Sequence, residues 1–371
     1  TIGIYEPILI IIGKHFDKEE DAKFRNVRFC AFNMFQWFGL SGIDQKFSNS
    51  GDTYSINYKK LNSIDFEINQ HCTGKVSFDS PVRVSDVDNK IDISEGCYTS
   101  FDYVSKTKFE DILIDVKIFI GLITFFTFEQ SYPLSISFQD DDILEETECG
   151  KRKKTIKMIY QYDLYSSKYK IRRQHQHLVR YQDIAGIYPE VIKSWFEKYK
   201  EIEPVFSLML YSFKDKNRFR VEKFIDIVRA IETYHRRTLK STRFPQSEYE
   251  QLVCRILSDV QISKEEKLWL EGKLKYGNEI TLHKRIKELI NKSNTTLLND
   301  SNRSIGKFCQ RVVDSRNYYT HYDENLASKA LTGKELFDVN QKLMVLLFSD
   351  ILNLLGIDSS QYESGLEYLF Q

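Results

Sequence analysis

The spacing of apolar positions along the chain changes near residue 180. Up to about residue 175, short apolar stretches alternate with polar residues between Gly, Asn and Asp, a pattern that predicts β-strands. From about Pro189, apolar residues recur every three or four positions, which predicts amphipathic helices. The pattern therefore predicts an α+β chain, with a mostly antiparallel β domain at residues 1–178 and an all-α bundle at residues 179–363.

In the first part, the alternation predicts strands or strand fragments at residues 52–58, 65–69, 74–78, 82–84, 90–93, 134–138 and 154–162. Residues 109–128 have helical spacing instead and are expected to form a helical insertion. The longest apolar run, residues 118–128, is too short for a transmembrane helix of about 20 residues. We read it as a buried strand or core helix and expect no contact with a membrane.

In the second part, the helical period predicts helices at residues 191–199, 204–213, 220–237, 248–257, 264–274, 282–291, 304–316 and 333–355. The helix at 220–237 has the clearest amphipathic stripe. Gly356 is the expected C-terminal stop of the last helix. Residues 364–371 resemble a remnant of a protease site, so we leave them out of the fold prediction.

The composition is that of a globular protein with sizeable cores: 42% of the 371 residues are hydrophobic and 29% are charged. The 53 basic residues balance the 53 acidic ones, which disfavours a large non-specific RNA surface but leaves room for a local basic cleft. The six cysteines are scattered without zinc spacing, so we expect reduced thiols, a cytoplasmic location, no metal and no cofactor.

For two charged stretches we favour a solvent-exposed segment over a binding site. The acidic residues at 140–146 and the basic residues at 151–154 are expected to form a solvated hairpin loop rather than a partner contact. Arg172, Arg173, His175 and His177 form a basic run between the two parts. Because no acidic or cysteine partner is near in sequence, a solvated linker is favoured there over a metal site.

The candidate chemistry lies at Arg316, Asn317 and His321. Arginine can clamp phosphate oxygens with two N–H donors, and histidine can carry a proton near neutral pH. On an ideal helix, positions 316 and 321 are about 140° apart, whereas 317 and 321 share a face. A site using all three needs a helix start or a long arginine that reaches around the helix. The alternative is a lone Arg and a lone His on a solvated helix.

This R-x4-H spacing resembles the signature of HEPN domains, helical bundles that often act as metal-independent RNases. Residues 225–237 and 192–197 resemble segments of the HEPN subfamily found in ApeA anti-phage defence proteins, with Ile231 where the family pattern has Leu. The β-rich first part resembles the sensor-like domain that precedes HEPN in those proteins. The resemblance implies an endoribonuclease that acts on RNA, with tRNA as one candidate. It also implies a homodimer through the HEPN domain and a phage-derived trigger at the N-terminal domain.

Four further residues are candidates to support the motif. Glu232 can hold the Arg316 guanidinium by facing it, or it can pair with Arg236 four positions later on the same helix. His235 is a candidate RNA contact. Tyr319, with its neighbours Tyr318 and Tyr322, is favoured as a core or rim aromatic over a base-stacking platform.

Two functional hypotheses follow from the sequence. In the first, the helical half cleaves RNA during anti-phage defence, and the β half senses infection or restrains the nuclease. In the second, the HEPN bundle is not catalytic and only dimerises or binds RNA or another partner. The intact Arg-Asn-x-x-x-His motif favours the first hypothesis, whereas the zero net charge leaves the second one open.

Overall fold

The computed structural model describes residues 9–48, 51–85, 89–147, 150–160, 170–214, 220–293, 295, 298 and 302–370. The chain forms two compact units. The first contains residues up to Tyr199 together with Leu354–Leu369, and the second contains Lys200–Asn353. An antiparallel sheet region is followed by a helical region, so the predicted α+β class is confirmed. The boundary between residues 178 and 179 stays a prediction.

A seven-stranded antiparallel sheet forms most of the first unit, in the order β1-β11-β10-β2-β9-β6-β5. Two small antiparallel pairs, β3–β4 and β7–β8, lie outside it. The strands are β1 (Leu9–Ile12), β2 (Lys23–Ala31), β3 (Ile43–Phe47), β4 (Tyr54–Tyr58), β5 (Ile64–Asn69), β6 (Cys72–Asp79), β7 (Val82–Ser85), β8 (Lys90–Ile93), β9 (Gly96–Lys108), β10 (Pro133–Thr147) and β11 (Gly150–Tyr160).

The predicted helical insertion is α2 (Phe109–Thr127), and its apolar residues form the core of this unit. Phe119 of α2 packs edge-on against Phe29 of β2 and Phe101 of β9, with ring centroids 5.5 and 5.8 Å apart. All three rings are fully buried. Edge-to-face packing adds about 0.5–1.5 kcal/mol per pair to the free energy of burial, so this cluster ties the helix to the two central strands. Two short helices, α1 (Met34–Phe38) and α3 (Tyr181–Ile184), complete the unit's first part.

The charged residues near 140 and 151 do form a hairpin, but they lie on its strands rather than in a solvated loop. Asp140 is opposite Lys154, and Glu146 is opposite Lys151, across the β10–β11 ladder. Asp140 is buried and its carboxylate lies 2.9 Å from Lys14 Nζ. Opposite charges facing each other across an antiparallel pair stabilise the ladder, which explains why so many charges are accommodated in strands.

The basic run before the helical part is also not the solvated linker that we expected. Residues Gln174–Gln176 form a 3₁₀ turn, and Arg172 pairs with the buried Glu129 at 3.1 Å. His177 is buried, and burial lowers its pKa to about 4. The segment therefore belongs to the packed part of the first unit, because its apolar neighbours Leu178 and Val179 are buried as well.

The helices from Tyr188 onward agree with the predicted ones, apart from a merger at α4, a longer α9 and the additional helix α11. They are α4 (Tyr188–Lys214), α5 (Arg220–Thr238), α6 (Gln246–Asp259), α7 (Lys264–Leu274), α8 (Leu282–Lys292), α9 (Asn302–His321), α10 (Gly333–Leu354) and α11 (Ser359–Phe370). The stretches predicted at 191–199 and 204–213 form one helix, α4, which continues through Pro204. Proline cannot donate to the carbonyl of Lys200, and Arg237 Nη1 donates to that oxygen instead at 2.7 Å.

Residues 364–370, part of the segment that we left out of the fold prediction, lie in helix α11, whereas Gln371 lies outside the described residues. Leu366 is fully buried there, and Gln361 donates to the carbonyl of Asp183 at 2.7 Å. Gly356 ends α10 with φ +81°, the left-handed conformation expected of a C-terminal glycine.

Candidate active site

The motif residues Arg316, Asn317 and His321 lie in the last turns of α9, not at a helix start. His321 is the final helical residue. Tyr322 follows with φ +53°, and its N–H bonds to the carbonyl of Tyr318 at 2.6 Å, which closes the helix. Since all the motif residues are helical, positions 316 and 321 are about 140° apart around α9.

Arg316 is held from two sides. Its Nη1 donates to Oδ1 of Asn317 at 3.2 Å, and its Nη2 lies 3.5 Å from Oε2 of Glu232 on α5. About a third of the Arg316 side chain remains exposed. A bidentate arginine–carboxylate pair normally has contacts of about 2.7–2.9 Å. The contact here is longer and therefore weaker than such a pair, and it engages one of the five N–H groups of the guanidinium.

His321 is exposed, in contrast to Arg316. Asn317 lies one helical turn before it, on the same face of α9. The amide of Asn317 can therefore contact both the guanidinium of Arg316 and an imidazole at position 321. The helix geometry directs Arg316 toward α5 and leaves the imidazole on another side of α9.

Glu232 faces Arg316, which is the supporting arrangement rather than the alternative pair with Arg236. Arg236 instead contacts Glu279, with Nη2 and Oε2 2.6 Å apart. The two charged residues of α5 thus have separate partners. Glu232 faces Arg316 on α9, and Arg236 faces Glu279 in the turn before α8. Arg236 keeps 55% of its side chain exposed and remains able to contact a ligand.

His235 was expected to contact RNA, and its complete burial argues against that role. Its Nδ1 lies 3.1 Å from Nη1 of Arg285, and its Nε2 lies 2.8 Å from Oε2 of Glu288. Since the guanidinium can only donate, Nδ1 must accept, so Nε2 carries the proton and donates to Glu288. Burial lowers the pKa of His235, and the hydrogen bond to Glu288 offsets part of that effect. His235 is a neutral link between α5 and α8.

Arg285 is the residue near the site that sequence reasoning missed. It is buried, and its Nε donates to the carbonyl of Ile280 at 3.1 Å while its Nη2 lies 3.5 Å from Glu279. Burial lowers the pKa of Arg285, and the charge of Arg236 lowers it further. Its position beside Ile286 and Leu289 on the buried face of α8 is the signal that could have identified it. An arginine on such a face needs internal partners.

Tyr319 has a structural role, as the favoured interpretation of the three tyrosines indicated. Its hydroxyl donates to the carbonyl of Leu331 at 2.6 Å, and its ring packs edge-on against Phe224 of α5. Tyr319 therefore joins α9 to α5 and to the segment before α10. Tyr322 is exposed and packs edge-on against Tyr318, so it remains available at the end of α9.

The described residues also bear on metal binding, thiol chemistry and membrane association. No group of three or more His, Cys, Asp or Glu side chains there is arranged to hold a metal ion. Cys30, Cys72, Cys97, Cys254 and Cys309 have free thiols, and Cys149 lies outside the described residues. None of the helices in this part of the chain has the length and apolarity that crossing a bilayer requires.

Two family models match the chain. The model described as ApeA N-terminal domain 1 matches residues 1–195, and the model described as Apea-like HEPN matches residues 225–361. A search of curated proteins and a search of solved structures each returned no match. The first model covers more than half of the 371 residues, and the second extends from within α5 to the start of α11 and includes the Arg316–His321 motif. The chain therefore belongs to the ApeA family of anti-phage proteins, with an ApeA N-terminal domain followed by an Apea-like HEPN domain, a nuclease-associated family.

Proposed function

We propose that this protein is a metal-independent endoribonuclease of anti-phage defence, with Arg316 and His321 as its catalytic pair and Asn317 beside them. The observation that carries the proposal is the Arg316 guanidinium. It is oriented by Glu232 and Asn317 but partly exposed, on the same helix end as an exposed histidine. This arrangement fits phosphate recognition better than fold stabilisation.

The proposed reaction uses the 2′-hydroxyl of the RNA as the nucleophile. His321 moves a proton between the reacting oxygens, and Arg316 donates two N–H groups to the non-bridging oxygens as negative charge develops on them. The P–O5′ bond breaks as the P–O2′ bond forms. The products are a 2′,3′-cyclic phosphate, or the 3′-phosphate after its hydrolysis, and a 5′-hydroxyl. Asn317 orients His321 or donates to the phosphate.

The catalytic test compares His321→Ala and Arg316→Ala with the wild type on cellular RNA. One residue moves protons and the other stabilises charge, so each substitution should lower cleavage on the order of 10²-fold or more and remove toxicity in cells. Arg311→Ala, on the same helix but paired with Glu335, is the matched control and should cleave normally. Full activity in a folded His321→Ala protein would reject the assignment and favour a HEPN domain that only binds.

The chemistry of the cut ends separates this mechanism from a metal-dependent one. Cleavage should persist in excess EDTA and leave cyclic-phosphate and 5′-hydroxyl ends, because Arg316 and His321 supply charge and proton transfer themselves. Sequencing of RNA ends would identify the substrate at the same time, with tRNA as one candidate. Activity that disappears with EDTA and returns with Mg²⁺ would contradict the proposed mechanism.

The N-terminal unit is proposed as the sensor of a phage-derived trigger. It contains an open cleft of about 680 Å³ on the polar side of β2, β9 and β6. Both signs of charge line the cleft, with Arg28 and Lys75 near Asp79 and Asp102. A polar cleft with mixed charges suits a protein surface better than an apolar small molecule. Substitution of Lys75 by Glu should impair activation by phage and leave the ribonuclease motif intact.

A further inference from the structure

Helix α7 has an apolar side that none of the described residues of the helical unit covers. None of its residues is buried, although α7 contains three leucines and a tryptophan. Trp269 is 64% exposed and Leu268 is 61% exposed. Just outside the helix, Tyr276 is 64% exposed and Ile262 is 40% exposed. Large apolar side chains that cluster on one exposed helix usually mark an interaction surface.

The charges on α7 identify the kind of partner. Lys264, Lys267 and Lys273 balance Glu265, Glu266 and Glu271, so the helix has no net charge. A surface for RNA or for an anionic membrane would be mainly basic. A neutral helix with both signs of charge and a central tryptophan is suited to a protein surface that is also neutral, mixed in charge and aromatic.

The order of residues on α7 is complementary to itself. When two copies of α7 pair antiparallel around Trp269, position n of one copy faces position 538 − n of the other. Glu265 then faces Lys273, and Trp269 faces its own copy. Acid meets base and apolar meets apolar at each of these positions. Glu265 and Lys273 both lie within about 40° of Trp269 around the helix, so they share its face.

Gly272 provides an independent observation on the same face. Glycine inside a helix costs about 1 kcal/mol relative to alanine. A methyl group added at Gly272 would meet no atom within 4 Å, so packing within the described part of the chain does not require glycine there. In the antiparallel pairing Gly272 faces Glu266 of the second copy, and the missing side chain leaves room for that residue.

We propose that α7 is a two-fold docking surface for a second copy of this chain, paired antiparallel with Trp269 on the symmetry axis. This interface is separate from the Arg316–His321 motif and does not depend on the proposed ribonuclease activity. One helix pair is small beside the roughly 1,200–2,000 Å² of stable interfaces, so the association should depend on protein concentration.

Charge reversal tests the pairing. In the Glu265→Lys variant, two repulsive Lys–Lys contacts replace the two Glu–Lys contacts. In the Lys273→Glu variant, two repulsive Glu–Glu contacts replace them. Each variant should raise the dissociation constant at least about tenfold. The double variant Glu265→Lys/Lys273→Glu should regain the association, and so should a 1:1 mixture of the two single variants. Lys267→Glu, about 160° away from Trp269 around the helix, is the control and should associate normally.

Sedimentation velocity of the full chain over a range of concentrations measures the result. The single variants should sediment as smaller assemblies than the wild type at the same concentration, and circular dichroism should show unchanged helix content. Recovery by both the double variant and the mixture supports the proposal. Single variants that assemble like the wild type, or a double variant and a mixture that both fail to recover, would overturn it.

Discussion

At the residue scale, Arg316 shows how a charged pair can serve orientation rather than stability. Both Arg316 and Glu232 remain partly exposed and lie 3.5 Å apart. Pairs of this kind contribute roughly 0–1 kcal/mol to folding. We therefore propose that Glu232 serves the site through the direction that it gives the guanidinium. His235 and Arg285 differ from this exposed pair, because both are buried and Arg285 donates a hydrogen bond to Nδ1 of His235.

Asp350 is the residue for which the structure predicts a pH effect on stability. It lies on the buried side of α10, and burial raises the pKa of its carboxyl to about 7. The unfolded-state pKa is about 3.9, so the folded protein binds an additional proton between about pH 4 and pH 7. The contribution of Asp350 to the free energy of unfolding is thus present at low pH and is lost as the pH rises to 7.

Asp350→Asn should therefore stabilise the protein by up to about 4 kcal/mol above pH 7 and by roughly 1–2 kcal/mol at pH 5. Urea unfolding midpoints at pH 5 and pH 8 measure this difference. Asp338→Asn, at an exposed position of the same helix, is the control. Its urea unfolding midpoint should equal that of the wild type at both pH 5 and pH 8. An equal effect of Asp350→Asn at both pH values would contradict the prediction.

At the element scale, helix ends and helix breakers decide most of the local structure. Pro204 does not end α4, because Arg237 supplies the missing donor to Lys200. Asn317 and His321 share a face only because α9 continues to His321. The C-terminal ends of α9 and α5 are closed by the non-glycine residues Tyr322 and Lys240, with φ +53° and +50°.

Lys240→Gly should raise the free energy of unfolding by up to about 1 kcal/mol. An L-residue in the left-handed conformation costs roughly 1–2 kcal/mol, glycine avoids that cost, and its greater freedom in the unfolded state cancels part of the gain. Lys240→Ala removes the same side chain without relieving the backbone, so it serves as the matched control. Thermal unfolding of the three proteins should rank the glycine variant highest, and a rank below the alanine variant would refute the explanation.

At the scale of the whole molecule, the angle between Arg316 and His321 bears on assembly. About 140° around one helix makes it hard for a single copy to present both side chains to one phosphate. We therefore predict a two-fold dimer through the HEPN domain, in which one copy supplies Arg316 and the other supplies His321 to the same cleft. Light scattering of the intact protein should report a dimer or a higher even multimer.

Mixed dimers of His321→Ala and Arg316→Ala subunits test the shared cleft. In one of the two composite sites of each mixed dimer both side chains are intact, so mixing should restore part of the cleavage. Each variant alone, at the same total concentration, is the control. The prediction would be wrong if the protein were a fully active monomer, or if the mixture were as inactive as each variant alone. Either result would indicate that one copy contains the whole site.

Several parts of this fold could be predicted from the sequence because local patterns encode them. Helices α5, α8 and α10 follow the apolar period nearly residue for residue, since one face of each helix is buried. Strand β2 was not predicted, because a register irregularity between Phe24 and Asn26 interrupts its alternation of buried and exposed residues. The edge strand β1 was missed as well, since its uniformly apolar sequence does not alternate.

The sequence by itself determined the α+β class, the family resemblance and the identity of the motif residues, because each depends on residue type and spacing along the chain. Only the tertiary structure decided which partner each charge takes. Glu232 could pair with Arg236 or with Arg316, and the packing of α5 on α9 selected Arg316. Burial of His235 was decided in the same way, by Arg285 on α8. Such choices depend on distances between helices far apart in sequence, which local periodicity does not encode.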